Sequence, residues 1–165
     1  LADIQPASTA EALRSCRGSR IGEGSFSANV AIPTQAPFPS RGKVIAFNGR
    51  RHGRPVILAH VYGVKPIPTS FTLPFQIERS QGTFATTLVA SLPQTTGEWG
   101  FVTGIEMTLR RQFTYRGVSH DYLSAGCPAP DGFPGAVFPL VKASFAFAGA
   151  PSLSSTLVRS CKVRG

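Results

Sequence analysis

The stretch "KVIAFNGRRHGRPVILAHVYG", residues 43 to 63, decides the fold class. Two runs rich in Val, Ile, Leu and Ala flank "NGRRHG", a segment of turn residues and arginines, and this pattern predicts a β-hairpin. Both arms are close to continuously apolar instead of alternating, which predicts strands covered on both faces. Downstream, "SFTLPFQIE" (residues 70–78) gives the cleanest alternation in the chain. Phe71, Leu73, Phe75 and Ile77 fall on one face, and Ser70, Thr72, Gln76 and Glu78 on the other. Pro74 has no N–H to donate and takes the outward phase, so it marks an edge or a bulge. "TFATTLVASL" repeats the pattern with Phe84, Thr86, Leu88 and Ala90, and upstream "SFSANVAI" does so with Phe26, Ala28, Val30 and Ile32.

The rest of the chain reads in the same way. "PTQAPFP" (33–39), with three prolines, is expected to be a rigid connection that cannot lie in a central strand. "WGFVTGIEMTLRRQFTYRGVSHDYLSAG" (99–126) reads as one long hairpin turning at "YRGV", its first arm grouping Phe101, Thr103, Ile105, Met107 and Leu109. "KASFAFAG" and "STLVRSCKV" form a final pair broken by "AGAPSLS". Only "STAEALRSC" (8–16) predicts a helix, with Ser8 as N-cap, Glu11 completing a capping box and Gly18 ending it. The expectation is an all-β protein: an antiparallel β-sandwich or flattened barrel of about nine strands with one short N-terminal helix. Residues 1–20 form a helical segment packed on a single domain of residues 21–165.

Composition narrows the setting. The 165 residues suffice for one ordinary core, and a hydrophobic content of 42% excludes wholesale disorder. Lys+Arg number 17 against Asp+Glu 8, a net charge of +9 carried mostly by arginine. A field of that sign favours anionic partners, although it also serves simply to keep a sparsely charged protein soluble. No stretch approaches the length of an apolar membrane helix. The chain opens on "LADIQP" without a basic and apolar leader, and a start without Met is expected to reflect trimming.

Three cysteines, Cys16, Cys127 and Cys161, admit three readings. A zinc site has no C-x-x-C and no histidine at ligand spacing. A nucleophilic Cys127 with His120 as base would need the two on one face, but they stand seven residues apart in a strand-like segment, and no helix N-terminus lowers the thiol's pKa. A disulfide between Cys127, at the end of one strand, and Cys161, in the last, fits best, because it closes a loop of about 35 residues and ties down a C-terminus that otherwise frays. Cys16 then expects a partner upstream of Leu1.

The runs "QAPFPSRGKVIAFNGRRHGRPVILAHVYG", "PTSFTLPFQI", "GEWGFVTGIEMTLRR", "YLSAGCPAPDGFPGAVFPL", "ASFAFAG" and "TLVRSCKV" together resemble an uncharacterised family of secreted proteins from high-GC soil actinobacteria. The resemblance spans essentially the whole chain. It implies an exported, disulfide-bonded, β-rich protein made as a longer precursor with a signal peptide. Some members carry a cysteine shortly before the position matching Leu1, which would pair with Cys16. The resemblance implies no activity.

No catalytic set stands out. Ser119, His120 and Asp121 are adjacent, and neighbouring strand residues point apart, so they do not form a triad. His52, His60 and His120 are spread over loop and strand, and no metal or other cofactor is expected. The acids are isolated, without the paired carboxylates of a glycosidase. Trp99 is a possible glycan-stacking residue, weighed against a plain role as a core anchor. Arg50, Arg51 and Arg54, with Arg110, Arg111 and Arg116, lie at hairpin ends and make a possible polyanion-binding patch. Aromatics are not interleaved with them, so no specific nucleic-acid recognition is expected. The expected function is an exported, non-catalytic module, secreted or at the cell envelope, with a structural, binding or self-assembly role. Its expected partners are an anionic cell-wall polymer or polysaccharide, and other copies through edge strands. The alternative is a secreted hydrolase of unknown substrate.

Overall fold

A computed structural model of the chain describes residues 14, 16–30, 34–63, 69–92, 100–127, 129, 135–147 and 149–161. It is nearly all-β and antiparallel. Among the described residues ten strands occur, one more than expected: β1 (Arg20–Val30), β2 (Phe38–Arg51), β3 (Arg54–Gly63), β4 (Thr69–Arg79), β5 (Thr86–Val89), β6 (Gly100–Leu109), β7 (Gln112–Tyr115), β8 (Val118–Asp121), β9 (Ala136–Phe147) and β10 (Ala150–Cys161). The contacts divide the chain into two compact units, one of Leu1–Glu78 with Leu88–Leu123, the other of Arg79–Thr87 with Ser124–Gly165.

The first unit is built on one curled six-stranded sheet, in the order β5-β4-β3-β2-β1-β6. The hairpin of residues 43–63 is its centre. Arg51 pairs with Arg54 across a two-residue turn, and His52 (φ 50°) and Gly53 (φ 76°) both take the left-handed region. That geometry belongs to a type I′ turn, whose twist matches that of the strands, and glycine adopts it without Cβ strain. Val44, Ala46, Ile57, Ala59 and Val61 line the inner face, and Phe71, Leu73, Phe75 and Ile77 of β4 pack against them as their alternation predicts. On the opposite face of the same two strands Ile45, Phe47, Val56 and His60 are buried as well. The doubly apolar runs are therefore covered on both sides, as expected.

The curl brings the two ends of the sheet into one core. Leu88 of β5 and Leu109 of β6 both pack on the cluster of Ile21, Ala46 and Ile57. Pro74 pairs with Leu58 of β3. The four-residue β5 begins at a turn closed by Ser80 N–H donating to Ala85 O, and so flanks only the end of β4. Pro74 thus lies on a locally open edge, where a missing donor costs nothing.

Several expectations are corrected. Residues 99–126 do not make one long hairpin: β6 pairs with β1, and β7 pairs only with β8 about the turn at Arg116 and Gly117. A register shift at Ser27/Ala28 changes the phase of β6, so Val102 joins Ile105 and Met107 in the core while Thr103 Oγ1 donates outward to Ser27 Oγ. Pro39 lies inside β2, a central strand, opposite Asn29. It is tolerated there because β3 does not begin pairing with β2 until Lys43. Gly18 sits within a 3-10 turn, Arg17–Ser19, held by Ser19 N–H and Oγ–H donating to Cys16 O; of the expected helix only Arg14, which is helical, and Cys16 are described. Ser8, Glu11 and Ile32 lie outside the described residues.

In the second unit β9 and β10 form a two-stranded hairpin turning at Gly149 (φ 74°). Cys127 and Cys161 are joined by a disulfide, their Cα atoms 5.7 Å apart and 34 residues apart in sequence. Among the described residues no helix is long and apolar enough to cross a membrane.

Candidate functional site

The hairpin register gathers arginines at one end of the curled sheet. Arg20 opens β1 opposite Phe47, Gly22 pairs with Leu109 at the end of β6, and the β2–β3 turn lies four residues beyond Phe47. At the strand rise, Arg51 stands roughly 13 Å past that level. Arg50, Arg51 and Arg54 therefore share an end of the sheet with Arg110 and Arg111, and Arg17 and Arg20 join them. Arg116 sits at the tip of the β7–β8 hairpin, which springs from Arg111, its guanidinium 5.3 Å from the centre of the Tyr115 ring.

These guanidinium groups are not equally available. Arg111 Nη1 donates to the carbonyls of Gly18 and Arg20 and so ties the 3-10 turn to the sheet. Arg50 Nη1 donates to Gly53 O at 3.1 Å across its own turn, and Arg20 pairs with Glu23 at 2.6 Å. Arg51 and Arg54, like Arg17 and Arg110, are exposed. Fixing Arg50 on its turn removes rotamer freedom that an anion would otherwise have to freeze out.

Beside this end, an open groove of about 450 Å³ runs over β1 and β6, lined by Arg20, Glu23, Ser25, Glu106, Thr108 and Arg110. Its floor is the backbone around Gly22 and Gly24. A Cβ at Gly24 would fall inside the van der Waals envelope of Glu106 O, and one at Gly22 inside that of Thr108 O. Close approach of β6 thus requires glycine at both positions. The alternating signs of Arg20, Glu23, Glu106 and Arg110 leave the groove near neutrality. Glu23 is held by Arg20, and Glu106 accepts from Ser25 Oγ at 3.4 Å.

The histidines are scattered. His52 is a turn residue. His60 is 3% exposed, opposite Ile45 and Thr72, with its ring stacked on Tyr62 at 5.6 Å. Burial lowers its pKa, because the charged imidazolium loses hydration. His120 pairs with Phe113 and stacks on that ring at 5.6 Å, apart from the backbone partners of Ser119 and Asp121. Among the described residues no three of His, Cys, Asp and Glu group as metal ligands. Cys127 is spent in the disulfide. Tyr122 packs on the core, and its hydroxyl is 3.1 Å from Asn48 Oδ1, which makes it an anchor and not a stacking platform. Trp99 lies outside the described residues.

Arg17 and Arg20 are the members of the basic end that the sequence reading missed. They fall in a segment read as helix and its exit. The signal was present in "RIGEG", where glycines two apart in a strand announce a neighbour's close approach. The fold and this end together define an antiparallel, disulfide-bonded, all-β protein with a cationic sheet terminus. In comparisons with known proteins the chain matches no family, no curated protein and no solved structure.

Proposed function

We propose that this chain is a non-catalytic β-rich module acting outside the cell or at its envelope, where it holds anionic polymers and associates with its own kind. The observation that carries the reading is the convergence of Arg51 and Arg54 with Arg17, Arg20 and Arg110 at one end of the sheet, in a protein of net charge +9. Guanidinium forks match carboxylate and phosphate oxygens, and a cluster on a rigid hairpin presents several at once. The Cys127–Cys161 disulfide suits an oxidising compartment. In this reading the protein takes its place beside the exported actinobacterial proteins that it resembles. The curled sheet is a flattened barrel, supported by β5 and β6 sharing one core cluster.

The test is binding to a soluble polyanion, with heparin and polyglutamate as probes, across a salt series. Affinity should fall steeply as salt screens the arginines. Arg51→Ala with Arg54→Ala should weaken binding at least tenfold. Binding indifferent to salt, or to the Arg51 and Arg54 pair, overturns the reading.

A further inference from the structure

We infer that the β9–β10 hairpin is a self-association surface whose occupant is the same hairpin of a second copy. The register places Phe145 opposite Leu153 and Val141 opposite Leu157, so these four share a face with Phe147. The other face carries Lys142 opposite Thr156 and Ser144 opposite Ser154. The hairpin is therefore amphipathic, with one face built for water and one for cover. The apolar face is open, from 44% exposure at Leu157 to 61% at Leu153. A hairpin of two strands is marginal alone, and an apolar patch at the upper end of what monomers carry often marks an interaction site.

Three features select a second copy as the cover. The face carries no charge, so it offers nothing to a charged partner and is complementary to itself under a two-fold axis. Five half-exposed large side chains present on the order of 500 Å² of apolar surface per copy. Two such faces together remove about 1,000 Å² from water, the lower bound for a specific pair. The register shifts at Ala150/Leu153 and Leu157/Val158 bracket a regular stretch, so both copies bring the same length of pleat to face-to-face packing. This surface rests on the self-association part of the proposed function and uses residues distinct from the arginine end.

The two parts respond to salt in opposite directions. Copies of charge +9 repel each other, so screening strengthens their association while it weakens polyanion binding. Sedimentation of the oxidised full chain, from micromolar to millimolar concentration and at low and moderate salt, should show a monomer–dimer equilibrium that shifts toward dimer with salt. Phe145→Ser with Leu153→Ser should weaken the dimer more than tenfold, and Ser144→Thr with Thr156→Ser should leave it unchanged. Amide exchange in wild-type β9 and β10 should slow as concentration rises, a readout that does not depend on any variant folding. A monomer at every concentration, a dimer indifferent to the Phe145 and Leu153 pair, or exchange independent of concentration overturns the inference. So does capture of the hairpin by zwitterionic vesicles in place of dimerisation, since a bilayer would then be the cover. Heparin binding measured on the same samples separates the proposals, because its loss leaves the dimer untouched and its persistence does not rescue it.

Discussion

At the scale of single residues, two positions carry more than their size suggests. His60 is buried, and its pKa is held below the ordinary 6.5 by desolvation. Below that ordinary value the unfolded chain takes up a proton that the folded chain resists. The neutral imidazole's contribution to stability is therefore complete above pH 6.5 and is lost as pH falls toward the folded pKa. Thermal melts from neutral to mildly acidic pH should show wild type losing more stability than His60→Phe, and equal slopes would remove His60 as the cause. Gly24 is the second position. Gly24→Ala forces the β1 and β6 backbones apart at Glu106 O, at a cost of about 1–3 kcal/mol by denaturant titration. Gly126→Ala, with open space around its Cβ, should cost much less.

At the scale of elements, periodicity was the part most legible in the sequence. Phe71, Leu73, Phe75 and Ile77 lie inward as their spacing says, and the 43–63 hairpin turns where its loop residues indicate. Side-chain alternation reports which face a residue takes because the pleat has a period of two. It does not report the neighbouring strand, and so β6 pairs with β1 and not within the expected hairpin. The register shift in β6 puts Val102 inward in place of Thr103 for a related reason: one extra residue reverses the phase on one side of it relative to the other, and a bulge leaves no periodic trace. The disulfide is a prediction at this scale. It closes a loop of 34 residues, and in the chain-entropy account this stabilises by roughly 3.5–4 kcal/mol. Reduction should abolish slow amide exchange in β9 and β10 while leaving that of β2 and β3 in place, whereas uniform loss would make the bridge a global staple.

At the scale of the whole molecule, the sequence by itself determined an antiparallel all-β protein, the pairing of Cys127 with Cys161 and a strong positive charge. Each is a local or additive property: alternation sets strand faces, turn residues set hairpins, and charge sums over residues without regard to position. Only the tertiary structure decided where that charge gathers. Antiparallel pairing of β1 with both β2 and β6 carries Arg20 and Arg110 to the end where the Arg51–Arg54 turn lies, although these residues are separated by up to 90 positions in the chain. It also decided that Arg111 serves the backbone carbonyls of Gly18 and Arg20 in place of a ligand, and that the face of Phe145 and Leu153 lies open. The physical reason is the same throughout. Faces and turns are settled by interactions a few residues long, whereas neighbours across a curled sheet depend on how the strands close around a shared core.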